Sequence, residues 1–247
     1  MKNCTSWIHT ENSFHDEATA ESTLSAKVLF CLWRIMIIDH THEAYTKKRN
    51  SMGAGKYNGA YYYSIEIVEN IIPYIDTDRN WITILVPNVA VDHSIVFIHN
   101  NLHPEMYDYL KGYKDLILVC GIPSTCEKVK RLGTPIYLPL SIDTEYVSQF
   151  IRPKTKDTAY AGRKCKSNGI PKGTELLPTV PRHRLLPLMA EYKNIYAVGR
   201  TAIEAKLLGC NILPYDQRFP EDIWQVLDNK DVIPMLQAEL DRIDHNG

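Results

Sequence analysis

The chain has 247 residues and is 45% hydrophobic, enough to bury an ordinary core in one large domain or two compact ones. Its 28 basic and 29 acidic residues leave a formal net charge of −1, which excludes the strongly positive field of a dedicated nucleic-acid binder and makes any charge-based recognition local. Six cysteines without a C-x-x-C pair argue against a structural zinc site or a disulfide framework and predict reduced thiols in the cytoplasm.

Residues 1–34 read as a disordered or loosely attached leader, because the first part is polar and without periodicity. Glu11, Asp16, Glu17 and Glu21 outweigh Lys2 there, the opposite of a secretory start, and the apolar run 24–38 is interrupted by Lys27 and Arg34 and too short for a membrane span. Residues 35–39 have the β-branched pattern of a buried parallel strand, followed by a polar loop bearing Gly53, Gly55 and Gly59. Ala60, Tyr63, Ile67, Val68, Ile71 and Ile72 then recur at helical spacing until Pro73, so the chain opens as strand, loop, helix.

That rhythm repeats: strands are expected at 81–86, 94–98, 115–120 and 135–138, with helices at 104–111 and 124–132 between them. The stretch 152–156 reads as a linker, and a second series follows, with strands at 158–162, 194–198 and 211–213 and helices at 181–192, 201–208 and 231–243. Strands alternating with helices predict an α/β protein of two Rossmann-like lobes with mostly parallel sheets. The N-terminal lobe spans 35–151, and the C-terminal lobe, 152–247, is expected to be reduced to fewer strands.

The strongest local signal for chemistry is residues 197–205, where a strand runs through Gly199 into a helix. The glycine admits close approach of a ligand, the free amides at Arg200 and Thr201 suit a phosphate, and Arg200 adds a forked cationic donor. The competing interpretation is a plain capping box, Thr201-x-x-Glu204, in which both side chains only satisfy the helix end. A second signal is the stretch 152–172, where seven basic residues against Asp157 give a local charge of +6. Such a run is usually a solvated face, but Arg163 and Lys164 follow a strand end, where ligands of open α/β sheets bind.

The run 160–163, Tyr-Ala-Gly-Arg, and the run 199–210, with Glu204 five residues before Gly209, resemble the donor lobe of two-lobed nucleotide-sugar glycosyltransferases; Asn58-Gly59-Ala60 resembles the glycine-bearing loop of their acceptor lobe. The order of elements carries the resemblance over residues 36–216. It implies that Arg163 and Lys164 contact the donor diphosphate, that Gly199 and the amides of Arg200 and Thr201 receive phosphate, and that Glu204 binds the ribose. The family often has a second glutamate eight residues before the first, where Tyr196 stands here, and its further basic residue corresponds to Lys166 or Lys172.

His40 and His42, beside Asp39 and Glu43 after the first strand, are the candidate bases for an acceptor hydroxyl. Asp92, His93, His99 and His103 fall on different elements without metal-ligand spacing, and no metal is expected. The expected activity is metal-independent transfer of a sugar from a nucleotide diphosphate to an acceptor hydroxyl, with the nucleotide sugar as substrate and no further cofactor. DNA is the less expected acceptor class. A sugar-nucleotide 2-epimerase-like enzyme and an inactive nucleotide-binding module are the alternatives.

Overall fold

The computed structural model describes residues 59–83, 92–98, 104–162, 167–216 and 223–246. The expected leader, the expected strand 35–39 and its following loop to residue 58 lie outside the described residues. The described chain is α/β, with two four-stranded sheets, each parallel throughout.

Helix α1 (Gly59–Asn70) leads into a 3₁₀ turn, Ile72–Tyr74, in which Pro73 occupies the first turn, where a missing N–H costs nothing. Strands β1 (Asn80–Ile82), β2 (Ser94–Ile98), β3 (Leu116–Cys120) and β4 (Thr134–Tyr137) then follow in spatial as well as chain order. Helix α2 (Pro104–Leu110) joins β2 to β3, and α3 (Pro123–Val129) joins β3 to β4. β2 and β3 are buried along their whole length because alternate residues enter two different cores. Ile95, Phe97, Ile117 and Val119 face Tyr63, Ile67 and Ile71 of α1, whereas Val96, Ile98, Leu116 and Leu118 face Leu110 of α2 and Val129 of α3. The strand expected at 81–86 is described only as β1, since 84–91 lie outside the described residues.

The second sheet comprises β5 (Lys156–Tyr160), β6 (Glu175–Leu176), β7 (Tyr192–Tyr196) and β8 (Asn211–Leu213), in the order β6-β5-β7-β8. β6 has two residues, too few to stand out as a hydrophobic run. Helix α4 (Thr144–Ser148), capped by Asp143 through Tyr146 N at 2.8 Å, precedes the sheet; α5 (Arg182–Met189) and α6 (Arg200–Leu207) flank β7. Their core holds Ala159, Ile195, Ile212, Leu186, Met189, Ala202, Ile203 and Val147.

The chain passes between the sheets twice, and the two passages are bonded together. Ile142 pairs with Asp228 as a parallel bridge, Ser141 Oγ donates to Asn229 Oδ1 at 2.8 Å, and Thr144 N donates to Asp228 Oδ2 at 3.1 Å. The last helix, α7 (Asn229–Asn246), returns to the first sheet, where Val232, Leu236 and Leu240 are fully buried against α1 and the strands. Among the described residues, no helix is long and apolar enough to cross a membrane.

Candidate ligand crevice

The second sheet has a topological switch point. From β5 the chain goes to β6 on one side, then returns across β5 to β7 on the other. In open α/β sheets the crevice beyond the carboxyl ends of two such strands is where ligands bind. Here it lies between the end of β5, at Ala161-Gly162, and the end of β7, at Ala197-Val198-Gly199.

Both glycines are required by local geometry. Gly199 adopts φ 65° and ψ −145°, a conformation closed to side-chain-bearing residues, and it is the N-cap of α6 without any side-chain capping bond. A Cβ at Gly162 would run into the hydroxyl end of the Tyr160 side chain. Tyr215, beyond β8, packs edge-on against Tyr160 and Tyr196, with ring centroids 5.5 and 6.3 Å apart, and closes the same end of the sheet with aromatic surface.

The first sheet turns its corresponding edge toward this place. Ser64, near the start of α1, donates to Thr83 O just past β1 at 2.9 Å, whereas Arg79, just before β1, pairs with Asp244 near the end of α7. The amino ends of α1 and α7 therefore lie at the carboxyl edge of the first sheet, and those of α5 and α6 at the carboxyl edge of the second. Glu66 of α1 meets the first residues of α5, α6 and α7 there.

Glu66 Oε1 accepts from Arg182 Nη1 and Arg200 Nη2, and its Oε2 accepts from Asn229 Nδ2 at 3.1 Å. Arg182 Nε donates to Glu204 Oε1 at 2.7 Å, and Arg200 Nε stands 3.3 Å from the same oxygen. Tyr63 and Tyr146 cover the guanidinium planes of Arg200 and Arg182 at 5.8 and 5.0 Å. Glu66, Arg200 and Glu204 are all buried. Burial alone would raise the Glu66 carboxyl, but the Arg200 and Arg182 charges and the Asn229 hydrogen bond overcome it and hold the group below the usual carboxylate range. Burial pushes the Tyr63 hydroxyl up to about 12 against the opposing effect of a hydrogen bond with Ser141, so it stays protonated.

Gly199, Arg200, Thr201 and Glu204 lie at the N-cap and in the first turns of α6, beyond the end of β7, while His40, His42, Arg163, Lys164 and Lys166 lie outside the described residues. The Thr201-x-x-Glu204 capping box does not form. α6 begins at Arg200, which puts Thr201 inside the helix and turns Glu204 inward to the arginines instead of back to the helix end. The basic stretch 152–172 divides. Lys154 Nζ donates to Ala190 O and Leu208 O, the carbonyl ends of α5 and α6, at 2.9 and 2.7 Å, and Lys156 and Arg152 pair with Glu191 at 3.0 and 3.5 Å. These three cations sit at the amino end of β5, away from the crevice, and are already paired.

Glu66, Arg182 and Asn229 were not singled out by sequence reasoning. Glu66 carried a legible sign, a charged residue on the α1 face marked by Ala60, Tyr63 and Ile67. Arg182 and Asn229 had none, because their role depends on the two sheets meeting. His93, considered for a metal, is hydrogen-bonded to Asp115 at 2.5 Å and Asp78 at 3.1 Å at the amino edge of the first sheet. Among the described residues, no group of three or more His, Cys, Asp or Glu is placed to hold a metal ion. Comparisons with family models, curated proteins and solved structures give no match for this chain.

Proposed function

We propose that this chain is a cytoplasmic glycosyltransferase that uses a nucleotide-diphosphate sugar and transfers the sugar to an acceptor hydroxyl. The observation that carries the reading is the convergence of two parallel-sheet carboxyl edges, beside the β5–β7 switch point, on a buried cluster that holds Arg182 and Arg200. The free amides at the start of α6, together with Arg200, receive the diphosphate, and Arg163 and Lys164, which follow β5 in sequence, supply further charge to it. Both guanidinium contacts of Glu204 use Oε1, which leaves Oε2 for a ribose hydroxyl.

In the reaction, the acceptor oxygen bonds to the anomeric carbon as the bond from that carbon to the diphosphate oxygen breaks. The acceptor proton passes to a base, His40 or His42, and the diphosphate leaves with its charge held by the arginines and helix amides. Calorimetry with uridine and other nucleoside diphosphates tests the binding step, and absence of binding at millimolar concentration would sink the proposal. Binding without turnover over a broad acceptor panel would replace it by an inactive nucleotide-binding module, the reading favoured by the engagement of Arg200 and Glu204 in a buried neutral cluster.

A further inference from the structure

The buried cluster leaves guanidinium donors unpaired. Glu66 uses both oxygens, Oε1 for the two arginines and Oε2 for Asn229, yet Arg182 Nη2 and Arg200 Nε and Nη1 are buried without a hydrogen-bond partner. Leaving guanidinium N–H groups unmade in a dry site is costly, and it persists because the fixed positions of Glu66 and Glu204 do not bring an acceptor oxygen into line with these donors. A phosphate or diphosphate carries more acceptor oxygens and more charge than a carboxylate.

The surroundings also favour an anion with no side chain attached. Arg182, Arg200 and Asn229 are the first residues of α5, α6 and α7, so all three side chains that bond the Glu66 carboxylate come from helix amino ends. Glu66 itself is foreign to that seat. It is delivered by α1, which packs on the first sheet, whereas both arginines belong to the second.

We propose that Glu66 is an internal counter-ion lock: its carboxylate occupies an anion seat made by the side chains of Arg182, Arg200 and Asn229, the first residues of α5, α6 and α7, and a phosphate-bearing ligand must displace it. This rests on the crevice being the phosphate seat of the proposed function, and it is independent of sugar transfer. Exchange is energetically open, because a buried ion pair gains little net stability over its desolvation and another anion can repay the arginines instead. Removing Glu66 from the seat leaves Arg182 and Arg200 facing Glu204 alone, a net positive site. It also unties α1 from α5 and α6, so occupancy of the seat is coupled to contact between the sheets.

The test compares the parent protein with Glu66→Gln in calorimetric titrations with inorganic pyrophosphate and with uridine diphosphate. Glu66→Gln should bind pyrophosphate at least tenfold more tightly. In the parent protein, pyrophosphate should accelerate amide hydrogen exchange in residues 59–70, since displacement frees α1, whereas a ligand that left Glu66 in place would slow it or leave it unchanged. Should the variant be too unstable for calorimetry, thermal midpoints read against pyrophosphate concentration decide: a larger rise for the variant than for the parent supports the lock, and an equal or smaller rise overturns it. Equal affinity in a parent that binds uridine diphosphate ends the lock and leaves the proposed function standing. Tighter pyrophosphate binding by the variant with no sugar transfer by the parent ends the transferase and leaves the lock.

Discussion

Replacing Glu204 by alanine separates the cluster seen here from a simple helix cap. Glu204 is 4% exposed, accepts from Arg182 Nε at 2.7 Å, and lies 3.3 Å from Arg200 Nε. A capping glutamate is worth about 1 kcal/mol. Removing one partner from a buried ion pair costs about 3–5 kcal/mol, and here it leaves two desolvated guanidiniums sharing the single Glu66 carboxylate. For a protein of this size that corresponds to a fall in Tm of about 6–20 °C. Urea unfolding followed by tryptophan fluorescence measures it in both halves, since Trp81 is buried in the core of the first sheet and Trp224 in that of the second. Combining Glu204→Ala with Arg182→Met should recover much of the loss, as the double variant again matches one buried guanidinium, Arg200, with one carboxylate, Glu66. A cost near 1 kcal/mol with additive effects of the two substitutions would refute the buried cluster.

Three further substitutions test other parts of the argument. Gly199→Ala meets no atom within 4 Å, so its cost is the backbone conformation alone, about 1–3 kcal/mol in a denaturant titration, and a change below a few tenths would contradict the positive φ. Hydrogen bonds to Asp115 and Asp78 raise the His93 pKa, so its stabilising effect is complete below its ordinary value of about 6.5 and lost as pH rises through the folded value. The hydrogen bond from His93 lowers the Asp115 pKa, an effect lost at low pH, so the parent should exceed His93→Asn most between about pH 4 and 6.5, by ~0.2–1 kcal/mol for this exposed pair. Urea midpoints at pH 5.5 and 8.5 compare the two, and a difference independent of pH would rule out the charged pair. Lys154→Met removes the donor shared by Ala190 O and Leu208 O and should destabilise by about 1.5–3 kcal/mol without changing retention on duplex DNA at low salt; weaker retention would return this lysine to a phosphate-binding face.

Much of the fold was legible because hydrophobic periodicity depends on local chain geometry. The expected strands 94–98 and 211–213 coincide with β2 and β8, and the other expected elements within the described residues shift by a few residues at their ends, where caps and fraying decide, whereas the short β6 and α4 were not expected. Gly199 was legible too, since a glycine between strand and helix announces a turn that only glycine makes. The fate of charged side chains was not. Lys154 and Lys156 look like part of one basic face with Arg163 and Lys164, yet β5 carries the first pair to its amino end, where the carbonyls of two helices and Glu191 neutralise them. Glu204 reads as a cap until α6 is seen to start one residue earlier. By itself the sequence determined the alternation of strands and helices, the apolar faces and the glycine turn, all properties of neighbours along the chain. Only the tertiary structure decided that Glu66, Arg182, Arg200, Glu204 and Asn229 share one buried site, because up to 163 residues separate them and their pairing arises where two sheets turn their carboxyl edges to one another.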